Sequence, residues 1–368
     1  MNIEDEIKDK VGRKKCVKIE GSSVHGCISS GDVYMIDDEE KIFVKKSYRE
    51  NSMEMFEGEM YSLNKIGETR TIRVPNVYGI VVDPGESSES QGHGLMMEYI
   101  DMKPLNKHEG ELGYKLSHLH KYNLDKRLQE RHNSGFIGKY KNNLIQHVQS
   151  FGFDCTTNCG HIPLVNEWHN DWICFFAQNR LDVQIRMVQN RTVDELWSHL
   201  QLKIPKLFKE FKERDIEIVP SLLHGDLWSG NAAETDVSKV ASSVSESSGG
   251  NVSKVASIDG KSASGSKVDG ADGAIGADGG AESEEGEPVV FDPASFYGHS
   301  EFDLAIGEMF GGFRKSFYDN YFKVMKKVPG MESRMDLYQL FHYLNHWNHF
   351  GSGYSSKSIS LMKKLNKL

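Results

Sequence analysis

Leu222-Leu223-His224-Gly225-Asp226-Leu227-Trp228-Ser229-Gly230-Asn231 is answered much later in the chain by Val289-Val290-Phe291-Asp292. An apolar pair leads into a polar loop that presents Asp226 and then Asn231, and Asp292 follows directly on a second apolar strand. Phosphoryl transfer needs such a set. One carboxylate orients the attacking hydroxyl and accepts its proton, while an amide oxygen and a second carboxylate hold the magnesium that screens the phosphates. Asp226 is the candidate base, and Asn231 and Asp292 are the candidate Mg2+ ligands. The separation of Asp226 and Asn231 matches H-R-D-x-x-x-x-N, with Gly225 in place of the arginine. The stretch points to a small-molecule kinase, which also requires a nucleotide site elsewhere in the chain.

With 368 residues, 38% of them apolar, the chain is long enough for two lobes with real cores. Its net charge of -9 would repel nucleic acid and acidic membrane surfaces, so neither is expected as a partner. No window approaches 18 uncharged apolar residues, and Met1-Asn2-Ile3-Glu4-Asp5-Glu6 lacks the make-up of a signal or transit peptide; a cytoplasmic protein is expected. Cys16, Cys27, Cys155, Cys159 and Cys174 are too scattered for a disulfide scaffold. Cys155, Cys159 and His161 have no second Cys/His pair at zinc-ligand spacing.

From Cys16 to about Val44, short apolar stretches alternate with turn residues, predicting antiparallel strands. Between two of them, the small residues of Gly21 to Gly31, Gly26 among them, would let backbone amides approach phosphate oxygens, although an ordinary hairpin turn has the same composition. Lys41-Ile42-Phe43-Val44-Lys45 reads as the next strand and ends in the lysine expected to contact the phosphates. Residues 52–66 are expected to be helical, with Phe56, Met60 and Leu63 on one face and Glu59 at its edge to hold Lys45; Glu57 is the rival. After strand-like Val77 to Val82, Gly94 to Ile100 reads as a buried strand running into a link. In a bilobed kinase the backbone of such a link meets the adenine, and the lobe boundary is placed near Ile100, dividing 1–100 from 101–368.

In the second lobe, Leu112, Leu116 and Leu119 predict a helix, and residues 151–176 are rich in aromatic groups that cover a core or shape a pocket. Helical patterns follow from about Asn179 to Asn190 and from Val193 to about Phe211. Residues 235–287 contain no aromatic residue and repeat Val-Ser-Lys-Val-Ala-Ser at Val237 and Val252, which predicts a disordered insert. It lies between Asn231 and Asp292. Closure entropy grows by only about 0.6 kcal/mol per doubling of loop length, so the insert is tolerable if the strands flanking it pair. From Ser300 onward the chain again reads as helical. His342, His346 and His349 fall on one helix face there, as three zinc ligands or as a polar, partly buried stripe.

With these residues in hand, the chain closely resembles the fructosamine-3-kinase and ketosamine-3-kinase family, relatives of the aminoglycoside phosphotransferases. The resemblance is carried by Gly26-Cys27-Ile28-Ser29, Phe43-Val44-Lys45, Met55-Phe56-Glu57-Gly58-Glu59, Phe151-Gly152-Phe153, Val165-Asn166-Glu167-Trp168, Leu222 to Asn231, Phe291 to Phe302 and Tyr343 to Phe350. It implies an α+β, bilobed protein-kinase-like fold with a small antiparallel β-rich N-lobe and a larger, mostly helical C-lobe. It further implies Asp226 as base, Asn231 and Asp292 as Mg2+ ligands, and Gly26, Lys45, Glu59 and Met97 to Tyr99 around ATP. Trp228 and His299 would face the substrate. The implied reaction moves the γ-phosphoryl group of ATP to the 3-hydroxyl of a free or protein-bound ketosamine (fructosamine, ribulosamine or psicosamine), leading to deglycation and protein repair. Cys27 matches a cysteine at which some members form an interchain disulfide, making it a redox candidate and allowing a monomer or a redox-sensitive homodimer. The 235–287 insert departs from the family pattern. Two readings remain beside this one: a kinase for an aminoglycoside- or choline-like hydroxyl compound, and a non-catalytic kinase-like binding module.

Overall fold

The computed structural model describes residues 2–25, 29–85, 91–134, 146–235 and 286–368. Gly26, Cys27 and positions 236–285 of the insert lie outside them. Helix α1 (Ile3–Val11) precedes β1 (Cys16–Lys18), β2 (Val24–His25), β3 (Ser30–Ile36) and β4 (Glu40–Ser47). Helix α2 (Ser52–Thr69), β5 (Val77–Asp83) and β6 (Gly92–Glu98) follow. The strands form one antiparallel sheet in the order β1-β3-β4-β6-β5, with β2 paired to β3. Side chains alternate across it. Ile42 and Val44 of β4, with Met96 of β6, join Ile3 and Ile7 of α1 in one core. Leu95 and Met97 take the other face, under Phe56 and Leu63 of α2. This parity sends Lys45 toward α2.

The chain leaves this sheet after Glu98 and enters a second one through β7 (Met102–Pro104). Beyond lie α3 (Glu109–Ser134), the hairpin β8 (Thr157–Cys159) and β9 (Ile162–Leu164), α4 (Trp172–Phe175), α5 (Val183–Val188), α6 (Arg191–Leu200), α7 (Ile204–Leu207) and α8 (Lys209–Glu213). Then come β10 (Ser221–Leu222), β11 (Ala232–Thr235), β12 (Pro288–Val290), β13 (Tyr297–Gly298), α9 (Phe302–Met309), α10 (Lys315–Val324), α11 (Met331–Phe350) and α12 (Ser355–Leu365). The result is an α+β molecule of two lobes, one β-rich and one mostly helical. No described helix is long and apolar enough to cross a membrane.

The strands that flank the insert do pair, Ala232 opposite Val290 and Glu234 opposite Pro288, and β7 joins their outer side. Thr235 N–H donates to the Glu287 carbonyl at 2.9 Å, closing the hairpin before the insert begins. The helix expected from Asn179 is interrupted: Phe176–Asp182 is a π-helical turn that leads into α5. Arg180 in that turn is fully buried between the rings of Phe175 and Phe296, where it donates to the Val165 carbonyl and to Asn166 Oδ1, both at 2.6 Å.

Candidate active site

Strand parity and helix periodicity bring the first pair together. Lys45 Nζ lies 2.9 and 2.7 Å from the two Glu59 oxygens and 2.9 Å from Asp292 Oδ1, while Glu57 stays exposed. Burial opposes the charge on Lys45, but the Asp292 and Glu59 carboxylates outweigh it and raise the lysine's pKa. Glu59 is raised as well, by its own burial and despite the pull of Lys45, because Asp292 adds a second negative charge. Two carboxylates share one ammonium.

The loop after β10 hangs on buried backbone contacts. Asp303, at the start of α9, accepts from His224 N–H and Gly225 N–H at 2.7 Å each, and its Oδ2 lies 3.1 Å from His120 Nε2. His224 Nδ1 accepts from Asp226 N–H at 3.3 Å, so the ring proton sits on Nε2 and donates to the Phe291 carbonyl at 3.0 Å. Gly225 has φ +86°, and a Cβ there would stand 2.0 Å from the Ala294 carbonyl oxygen, so only glycine fits. Ala294 N–H donates to the His224 carbonyl at 2.9 Å. These contacts join the Asp226 loop to the Asp292 segment.

Asn231 sits at the start of the hairpin and Asp292 at its end. Phe291 N–H donates to the Asn231 carbonyl at 3.1 Å, and Asp292 takes a left-handed φ of 56°, a conformation its short polar side chain tolerates. Asn231 Nδ2 donates to the Asp226 carbonyl at 2.9 Å and to Asp226 Oδ2 at 3.1 Å, which leaves Asn231 Oδ1 as an acceptor. Burial, with the nearby Asp292 charge, pushes the Asp226 pKa up to about 7, against the Asn231 bond. Asp226, Asp292 and Asn231 Oδ1 are hard oxygen donors, the chemistry that Mg2+ takes.

Lys45, Glu59, Asp226, Asn231 and Asp292 line a cavity of about 390 Å³, with Ser29, Trp228, Asn158, Cys159, Asn345, His346, His349 and Phe350 among the other residues around it. Trp228 is half-buried, its ring centroid 5.0 Å from that of Phe310. Met97 and Glu98 end β6 and Tyr99 follows it, and none of the three lines this cavity. Glu98 pairs with Ile42, three residues along β4 from Lys45, which is roughly 10 Å of strand. Its side chain is held by Arg73 and by Asn76, whose Nδ2 is 2.9 Å away.

His299 corrects the sequence expectation. It does not reach this cavity but is buried behind the loop, 2.7 Å from the Tyr338 hydroxyl through Nδ1 and packed on Phe211 and Trp172. Burial in that aromatic shell pushes its pKa down to about 4. Among the described residues no three His, Cys, Asp or Glu side chains gather as a metal group. His346 Nδ1 and His349 Nδ1 donate instead to the helix carbonyls four residues before them, of His342 and Asn345. Asp303 was not singled out from sequence, and His120, two positions from His118 on its helix, was given no role there. A lone carboxylate in the apolar run Phe302-Asp303-Leu304-Ala305-Ile306 was the available signal.

The lobes and the gathered site define a phosphotransferase of the protein-kinase-like fold. Solved structures of putative fructosamine-3-kinases share that fold: one from Thermobifida fusca at a TM-score of 0.65 and 18% identity, covering 100% of this chain and 99% of the other, and one from Haemophilus somnus at 0.63 and 20%, covering 99% and 96%. The fructosamine kinase family model matches residues 1–242 and 273–367, and the chain belongs to that family. Mouse ketosamine-3-kinase is 44% identical over 358 residues, 95% of this chain and 96% of its own length. The chloroplastic protein-ribulosamine 3-kinase of Arabidopsis thaliana is 33% identical over 345 residues, 93% and 81% of the respective chains. The chain is accordingly an ATP-dependent kinase.

Proposed function

We propose that the protein transfers the γ-phosphoryl group of ATP to the 3-hydroxyl of a free or protein-bound ketosamine, and that the product's release of its amine serves deglycation and protein repair. The observation that carries this is the meeting of Lys45, Glu59, Asp226, Asn231 and Asp292 at one cavity whose remaining wall is neutral and partly aromatic. Relatives named for ketosamine and ribulosamine substrates support the acceptor class. Asp226 orients the attacking hydroxyl and takes its proton. Lys45, aimed by Glu59, holds the nucleotide's phosphates, and the stretch from Met97 to Tyr99, leading out of β6, meets the adenine near the lobe boundary at Ile100. Asn231, through Oδ1, and Asp292 would hold Mg2+, which when bound draws charge from the phosphates. Trp228 packs its flat ring on the sugar and keeps water from the transferred group.

Incubation with Mg-ATP and, separately, fructosamine, ribulosamine, psicosamine and aminoglycoside acceptors tests this. Wild type should phosphorylate at least one ketosamine, and Asp226→Ala should lose roughly 10²–10⁴-fold or more. Wild type that transfers to none of the ketosamines refutes the reading, and transfer to an aminoglycoside alone would replace it.

A further inference from the structure

The run Tyr343 to Phe350, which phosphoryl chemistry leaves unused, forms the last two turns of α11. Its Asn345, His346, His349 and Phe350 line the Asp226 cavity, as do Asn158 and Cys159 of β8 and Gly160 of the β8–β9 turn. His349 latches the turn to the helix. Its Nδ1–H is committed to the Asn345 carbonyl at 2.7 Å, and its Nε2 accepts from His161 N–H at 3.1 Å. Gly160, at φ +66°, leaves the room this needs, since a Cβ there would stand 2.3 Å from His349 Nε2.

The same turn fixes two amides. Asn345 Oδ1 faces the Cys159 thiol at 3.5 Å, and Asn158 Nδ2 faces the His161 carbonyl at 3.4 Å. The other ends, Asn345 Nδ2 and Asn158 Oδ1, are buried without a hydrogen-bond partner among the described residues. Buried polar atoms left unpaired are costly and rare, and Asn345 is only 2% exposed. One orphan is a donor and the other an acceptor. Hydroxyls, which both accept and donate, are the ligand groups that complete the two together. Burial lowers the pKa of His346 and takes that of His349 down to about 4, so this wall stays uncharged at neutral pH and would read hydroxyls rather than ions.

We propose that Asn345 and Asn158 are the pair that recognises the acceptor, Asn345 donating to and Asn158 accepting from sugar hydroxyls other than the one phosphorylated. The proposal rests on the ketosamine reading above and adds which residues select a polyol. Steady-state kinetics of the full chain with a ketosamine and its mono-deoxy analogues tests it, using Asn345→Ala, Asn158→Ala and the near-isosteric Asn345→Leu. At least one deoxy analogue should be a poorer substrate for wild type. The variants should raise the ketosamine KM roughly 10- to 100-fold, keep the ATP KM within about twofold, and lose discrimination against that analogue. Asn345→Leu removes an orphan donor, so its melting temperature should not fall, whereas a purely structural asparagine would lower it. An unchanged ketosamine KM, or a KM that rises for ATP and ketosamine alike with a lower melting temperature, overturns the assignment. Wild type inactive on every ketosamine overturns the parent reading with it; active wild type with indifferent variants overturns this inference alone.

Discussion

The charged side of the cavity, proposed to hold the nucleotide, and the neutral side, proposed to hold the acceptor, are built from opposite chemistry. On the first, charge meets charge: Lys45 stands 2.7–2.9 Å from Glu59 and 2.9 Å from Asp292, and every one of these groups is ionisable. On the second, α11 and the β8–β9 turn offer amides, imidazoles held neutral by burial, and rings. Phosphates carry charge wherever they bind, so they need fixed countercharges, whereas a sugar is neutral and is told from its relatives only by directional hydrogen bonds. The two sides should therefore fail differently when altered.

The largest expected effect is on the charged side. Lys45→Met removes the ammonium that two carboxylates share and should lower kcat/KM for ATP roughly 10²–10³-fold, the usual cost of deleting one aimed electrostatic group. Glu59→Gln should do less, since Lys45 keeps Asp292 as its partner. In both, the ketosamine KM should stay near that of wild type. Initial-rate kinetics with each substrate varied in turn would break the comparison if the ketosamine KM rose as steeply as the ATP KM.

Legibility in the sequence follows the range over which each feature is encoded. Lys45 and Glu59 were readable because two local periods, alternation through Ile42-Phe43-Val44-Lys45 and the Phe56–Met60–Leu63 stripe with Glu59 at its edge, decide where each side chain points. Asp226 and Asn231 share one loop, and the hairpin that returns Asp292 to them depended only on whether β11 and β12 paired. His299 was misread because it lies in a run that does build the site, and the backbone turn after β13, not residue type, sends it into the core. The acceptor wall was not legible. Cys159 and Asn345 are 186 residues apart, and an amide left unpaired is a property of the packed structure alone.

The second effect is a pH dependence of opposite sign for the histidines buried behind the site and for Asp226 within it. His299 has a folded pKa near 4 against about 6.5 unfolded, so the folded state binds fewer protons between those values. Its contribution, about 3 kcal/mol, is complete above pH 6.5 and is lost as the pH falls toward 4. The fully buried His342 is shifted the same way. Asp226 is raised to about 7 without metal, so it favours the fold at low pH and ceases to do so as the pH rises through 7. Denaturant melts in EDTA from pH 8 to 4.5 should show His299→Leu flattening the acid loss and Asp226→Asn gaining stability at pH 8. An acid slope unchanged in His299→Leu would place the destabilisation elsewhere.

The smallest effect probes the join between the sides, where Trp228 follows Asp226 by two positions yet faces the neutral wall. Gly230 lies against the indole, and a Cβ added there would stand 2.3 Å from a ring atom, far inside contact distance. Gly230 has no left-handed φ, so Gly230→Ala strains little backbone and must act by turning the ring or shifting it toward Phe310. Asp226 and Asn231 keep their bonds to each other, which do not pass through that ring. The expected result is a 3- to 10-fold higher ketosamine KM, about 1 kcal/mol, with the ATP KM unchanged and indole fluorescence altered in the free enzyme. Trp228→Ala should then be insensitive to Gly230→Ala in a double-mutant cycle. If the two losses simply add, the glycine acts on the metal-binding hairpin, and the division between charged and neutral sides has to be drawn after Gly230 rather than before Trp228.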